Sequence, residues 1–70
     1  MPTKMIYHVA SSSDPYGQSF TRKREAVREM NRLNRLFGDH EEDRYTCDYR
    51  LVDSPEWLGS VEPDGSLNSC

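Results

Sequence analysis

Between Thr21 and Gly38 apolar side chains return at the period of an α-helix, and this stripe limits what the chain can become more than any other feature. Ala26, Met30, Leu33 and Phe37 recur at spacings of four, three and four, and Val27 and Leu36 widen the band. Thr21 is placed to cap the first turn, and Gly38 stands where a left-handed residue closes many helices, so the pattern predicts a helix over 21–37. One helix with a single greasy side cannot bury it alone, so a second layer is required.

The flanking segments supply that layer. MIYHVA, residues 5–10, is rich in β-formers, with Met5, Tyr7 and Val9 on one side and Ile6 and His8 on the other. Residues 45–52 alternate strictly, turning Tyr45, Cys47, Tyr49 and Leu51 inward and Thr46, Asp48 and Arg50 outward. Asp14, Pro15 and Gly17 suit a type I turn with Tyr16 at its tip, from which a hairpin returns through 18–20. Ser54, Pro55 and Glu56 resemble a helix start, but Gly59 would end it within a turn, so a short turn burying Trp57 and Leu58 is expected, with a short strand near 57–61 as a further option. The predicted fold is α+β: one amphipathic helix packed on a small, mainly antiparallel sheet of three to four strands. Residues 1–62 form its single domain, and 63–70 read as a flexible C-terminal tail, with a weak hairpin at PDG as the alternative.

Size bounds the stability of such a fold. The chain has 70 residues, of which 34% are hydrophobic, and a domain of this length buries only about 60% of the surface its unfolded chain exposes. So thin a core often leans on a partner or a second subunit, which makes a homodimer one option. No apolar run approaches the roughly 20 residues needed to cross a bilayer, and the N-terminus lacks the apolar stretch of a secretory signal, so a cytoplasmic protein without membrane contact is expected. Cys47 and Cys70 are then free thiols.

Charge is unevenly placed. Between positions 20 and 37 six basic residues face Glu25 and Glu29, a balance of +4, whereas from Asp39 onward nine acids face Arg44 and Arg50, a balance of -7. At about 100° per residue, Arg24, Arg28, Arg32 and Arg35 gather on the side of the helix opposite the apolar stripe. The planar fork of arginine suits carboxylate and phosphate recognition. These four arginines, with Tyr16 as an aromatic anchor, are the candidate partner-binding residues; a solvated face paired with the acidic half of the chain is the plainer alternative. The sequence pI of about 5.2 favours a protein partner over bare nucleic acid. The acids Asp39, Glu41, Glu42 and Asp43 offer the mirror option, carboxylates that imitate a phosphate backbone.

No catalytic or metal site is expected. Cys47 with His8 or His40 and Asp48 has the residue types of a thiol nucleophile and its base, but alternation turns Cys47 inward, where thiols are inert. The histidines and cysteines lie too far apart for the close ligand pairs of zinc sites, and there is no glycine-rich phosphate loop, so no cofactor is implied.

Phe20, Thr21, Glu25 and Ala26 open the helix with an F-T-x-x-x-E-A pattern, and the layout of residues 5–52 resembles short phage and mobile-element proteins in which one helix packs on a small sheet. Some anti-CRISPR inhibitors are of this kind. The resemblance implies a non-enzymatic, stoichiometric inhibitor that blocks a nucleic-acid-processing complex of a host, a protein or ribonucleoprotein partner. It carries over no functional residue. A small DNA- or RNA-binding protein using the arginine side of the helix is the alternative.

Overall fold

A computed structural model describes residues 4–69. The elements run β1 (Met5–Ser11), β2 (Asp14–Phe20), α1 (Lys23–Phe37), a 3₁₀ turn (Glu41–Asp43), β3 (Thr46–Leu51), β4 (Trp57–Val61) and β5 (Leu67–Ser69). The five strands form one antiparallel sheet in the order β2-β1-β3-β4-β5, so the expected α+β architecture is present with five strands rather than three to four. Both β2 and β3 run antiparallel to β1, which lies between them, and strands of the same sense need a long crossover. Helix α1 is that crossover. It packs on β1, β2 and β3 and leaves the other side of the sheet uncovered.

The core lies between helix and sheet. Val9, Ala26, Met30, Cys47, Tyr49 and Val61 are buried, and Met5, Tyr7, Phe20, Val27, Leu33 and Tyr45 pack around them half-buried. Period-two alternation in β1 and β3 meets period-3.6 recurrence in α1 here, as their sequences require. Leu36 and Phe37 depart from the expected stripe: they are 55% and 57% exposed, because the last turn of the helix carries them beyond the packed part of the stripe.

The helix ends differ from expectation. It begins at Lys23 with Arg22 as the capping residue in extended conformation and no side-chain cap, so Thr21 does not fill that role; the Ala26 amide closes the first turn on the Arg22 carbonyl at 3.1 Å. Gly38 has φ -85°, not left-handed. Its amide donates to the Asn34 carbonyl at 2.9 Å, and a Cβ there would sit 2.6 Å from that oxygen, so close approach rather than handedness calls for glycine.

The first hairpin turns earlier than the DPYG signal indicates. Ser11 pairs with Asp14, which leaves Ser12 and Ser13 as the loop, and the Ser11 hydroxyl accepts the Asp14 amide at 3.1 Å. Between the pairs Val9–Gln18 and Ser11–Asp14 the ladder shifts, so Pro15, Tyr16 and Gly17 form a bulge in β2 instead of a turn. The Asp14 carboxylate still accepts the Gly17 amide at 3.3 Å, and Gly17 takes φ +53°. Tyr16 therefore sits in an edge strand, not at a hairpin tip.

Beyond β3, the Ser54 hydroxyl accepts the Glu56 amide as a cap would, but a strand follows rather than a helix or a burying turn: Trp57 is 46% and Leu58 41% exposed. The PDG segment forms the hairpin alternative. The Glu62 amide donates to the Ser66 carbonyl and the Gly65 amide to the Glu62 carbonyl, both at 2.8 Å, and β5 pairs with β4, so 67–69 is a strand and not a free tail. Cys70 lies outside the described residues. Among the described residues no helix is long and apolar enough to cross a membrane.

Candidate binding surfaces

Two surfaces stand out, one on each side of the two-layer fold. The first is the outward ridge of α1. Because Ala26 and Met30 are buried against the sheet, the residues half a turn away are forced into solvent, and Arg24, Arg28, Arg32 and Arg35 are all exposed. Their environments are not equal. Arg32 grips Glu29 with two hydrogen bonds of 2.7 Å, from Nε and from its terminal nitrogen. That contact holds the Glu29 carboxyl below its ordinary pKa and raises that of the Arg32 guanidinium. It is the only ion pair among the described residues, so Arg24, Arg28 and Arg35 keep their charge for solvent or a partner, and none reaches the acidic half of the chain. Arg35 also lies in the last helical turn, where a cation suits the helix dipole.

Tyr16, the aromatic paired with these arginines on sequence grounds, is 89% exposed. It stands in the β2 bulge, and no hydrogen bond or ring contact joins it to the ridge among the described residues.

The second surface is the open side of the sheet, and sequence reasoning missed it as a unit. Register places His8 opposite Asp48 and Arg50 opposite Trp57, so β1, β3 and β4 bring four chemically distinct side chains onto neighbouring positions. The His8 and Trp57 rings lie 5.9 Å apart, and the Arg50 guanidinium stands 5.5 Å from the centre of the Trp57 ring. Arg50 is anchored in turn, donating to the Leu51 carbonyl at 3.1 Å and the Ser54 carbonyl at 2.9 Å. Beside this cluster runs an open groove of about 670 Å³, whose lining includes His8, Asp48, Trp57, Glu41, Arg44 and Thr46. Burial raises the Asp48 carboxyl pKa, against the opposing charge of His8.

Cys47 faces the other way. It is fully buried, and burial, followed by the charge of Asp48, pushes its thiol up to about 11, so the thiolate a nucleophile needs is absent at neutral pH. His40 is exposed on the helix side of the 3₁₀ turn's start, and no group of three potential metal ligands assembles among the described residues. The signal for the open-side cluster was present in the outward positions of His8, Asp48 and Arg50, but Trp57 joins them only through strand pairing. No protein-family model, no curated protein and no solved structure matches the chain.

Proposed function

We propose that this chain is a non-enzymatic binding protein whose arginine ridge engages an anionic surface of a macromolecular partner. The observation that carries the reading is the state of Arg24, Arg28 and Arg35: three exposed guanidinium groups on one side of the helix, with no carboxylate bound to them among the described residues. Desolvating them against carboxylates or phosphates forms charge-assisted hydrogen bonds without first breaking internal ion pairs. Arg32, already neutralised by Glu29, contributes less. Within this reading, stoichiometric inhibition of a host nucleic-acid-processing complex is the role favoured by the likeness of the layout to anti-CRISPR inhibitors.

The test compares wild type with Arg24→Glu/Arg28→Glu/Arg35→Glu as bait in a lysate of the natural host, with captured proteins identified by mass spectrometry. A partner captured in stoichiometric amount by wild type and lost by the variant supports the ridge; retention of that partner by the variant refutes it. A parallel titration with random duplex and single-stranded DNA decides the alternative. Affinity that falls steeply with salt and vanishes in the variant would assign the ridge to phosphates directly.

A further inference from the structure

The side of the sheet turned away from α1 holds an arrangement that the ridge does not use. Asp48 is half-buried on the floor of the groove, and its carboxylate makes no hydrogen bond or ion pair among the described residues. Glu41 lines the same groove, whose basic side chains are Arg44 and His8, the latter opposite Asp48 in the strand register. Of the acidic segment 39–43 only Glu41 reaches the groove, so the charged lining is Asp48 and Glu41 against Arg44. A cation would find in Asp48 a half-buried carboxylate without a hydrogen bond among the described residues, with Glu41 in the same lining.

The remaining wall is aromatic. Trp57 offers a broad π-surface, and the 5.5 Å approach of Arg50 shows the ring accepting a guanidinium. Arg50 itself is tied to the Leu51 and Ser54 carbonyls, so it braces the ring instead of reaching for Asp48. An aromatic plane beside an unpaired carboxylate suits a flat cation with a donor fork better than a compact ammonium. The groove is open and runs from the Ser12 loop past β1 and β3 to Trp57, a shape for an extended chain rather than an enclosed small molecule.

We infer that this groove is a second binding site, one that takes an arginine side chain carried on an extended basic segment of a partner protein. It is separate from the ridge of α1 and stands whether or not that ridge meets an anion. The guanidinium stacks on Trp57 and donates to Asp48, with Glu41 strengthening the field at the rim.

The protein carries its own reporter, because Trp57 is its one tryptophan. Its emission is titrated at low salt with a blocked Gly-Arg-Gly-Arg-Gly peptide, with the citrulline, lysine and glutamate versions, and with oligothymidylate. The expected result is a saturable change with the arginine peptide and at least tenfold weaker binding of the citrulline peptide. Asp48→Asn should weaken arginine binding at least fivefold and Glu41→Gln less, while Arg24→Glu/Arg28→Glu leaves it unchanged. Circular dichroism verifies that Asp48→Asn is folded, and if it is not, Glu41→Gln on the 3₁₀ turn carries the test. No saturable change, equal binding of citrulline, indifference to both groove substitutions, or preference for oligothymidylate overturns the proposal. So does a molar mass that rises with protein concentration and returns to the monomer's in Arg24→Glu/Arg28→Glu, since the groove would then hold the ridge of a second copy.

Discussion

Replacing Asn34 by alanine should destabilise this protein more than its polar surroundings suggest. The Asn34 amide reads both backbone groups of Tyr45: its Nδ2 donates to the Tyr45 carbonyl at 3.0 Å, and its Oδ1 accepts the Tyr45 amide at 2.5 Å. It thereby pins the last turns of α1 to the chain entering β3, across a connection of irregular backbone. Each such bond contributes about 1 kcal/mol net, and leaving a partly buried partner unsatisfied costs about 1 to 3 kcal/mol, so the two together predict a loss of roughly 1 to 3 kcal/mol where water regains partial access. Stability near 0.05 to 0.15 kcal/mol per residue implies a total of roughly 3.5 to 10 kcal/mol for a chain of this length, so the change removes a sizeable share. The melting temperature should fall by roughly 4 to 24 °C. Urea and thermal unfolding followed by far-ultraviolet circular dichroism measure it, with Asn31→Ala as the control. Asn31 makes a single exposed bond, 3.1 Å to the Pro63 carbonyl, and its loss should cost less than about 1 kcal/mol. Asn34→Ala within about 0.5 kcal/mol of wild type, or no worse than Asn31→Ala, would refute the bridging role.

Met30→Ala, at a side chain only 2% exposed in a core of six buried residues, should cost about 2 to 5 kcal/mol and leave much of the population unfolded at 37 °C, measurable in the same urea series. Gly17→Ala forces a Cβ within 1.9 Å of the Val9 carbonyl at φ +53°; amide exchange across the β1–β2 pairs should accelerate, and unchanged protection there would show that the bulge is not constrained in this way. Burial holds the Cys47 thiol near 11 against an ordinary value of 9.0. In a Cys70→Ser background its labelling at pH 8 should be at least a hundredfold slower than in urea. The folded state therefore keeps its proton to higher pH than the unfolded state, so this contribution to stability is complete below pH 9 and is lost between pH 9 and 11, by about 2 to 3 kcal/mol. Cys47→Ala should lack that part of the pH slope.

Elements whose periodicity answers to the adjoining core were legible in the sequence. Met5, Tyr7 and Val9, Cys47 and Tyr49, and Ala26 with Met30 turn inward as their spacing requires. Elements decided by distant pairing were not. The DPYG residues serve a bulge as well as a turn, since the Asp14 to Gly17 contact is common to both; the choice falls to the register that sets Phe20 beside Tyr7, a partner far back in the chain. Trp57–Val61 contains a glycine and reads locally as a turn first and a short strand second; hydrogen bonding to β3 settles it as the strand. The arginine ridge was visible because helical spacing alone generates it. Which member would be neutralised was not, since Glu25 lies at the same i,i+3 offset from Arg28 as Glu29 from Arg32, and only the second pair closes. The cluster on the open side required the register His8–Asp48 and Arg50–Trp57, and no local pattern encodes it.

A two-layer fold with one helix has two outward surfaces and a single core between them, and here the two surfaces differ in chemistry. The ridge of α1 exposes Arg24, Arg28 and Arg35, which have no ion pair among the described residues, while the groove across the sheet carries Asp48 and Glu41 with Arg44 and Trp57. Because the core consists of Val9, Ala26, Met30, Cys47, Tyr49 and Val61, none of the ridge residues or the groove carboxylates belongs to it. Substitutions of the exposed Arg24, Arg28, Arg35 and Glu41 should therefore shift stability by no more than about 0.5 kcal/mol, as solvent-facing changes generally do. Loss of binding in such variants then reports recognition rather than unfolding. Among the described residues no hydrogen bond or ion pair joins the ridge arginines to a side chain lining the groove. Each surface can meet its own partner without strongly altering the affinity of the other, and Arg24→Glu/Arg28→Glu should leave groove binding as it was.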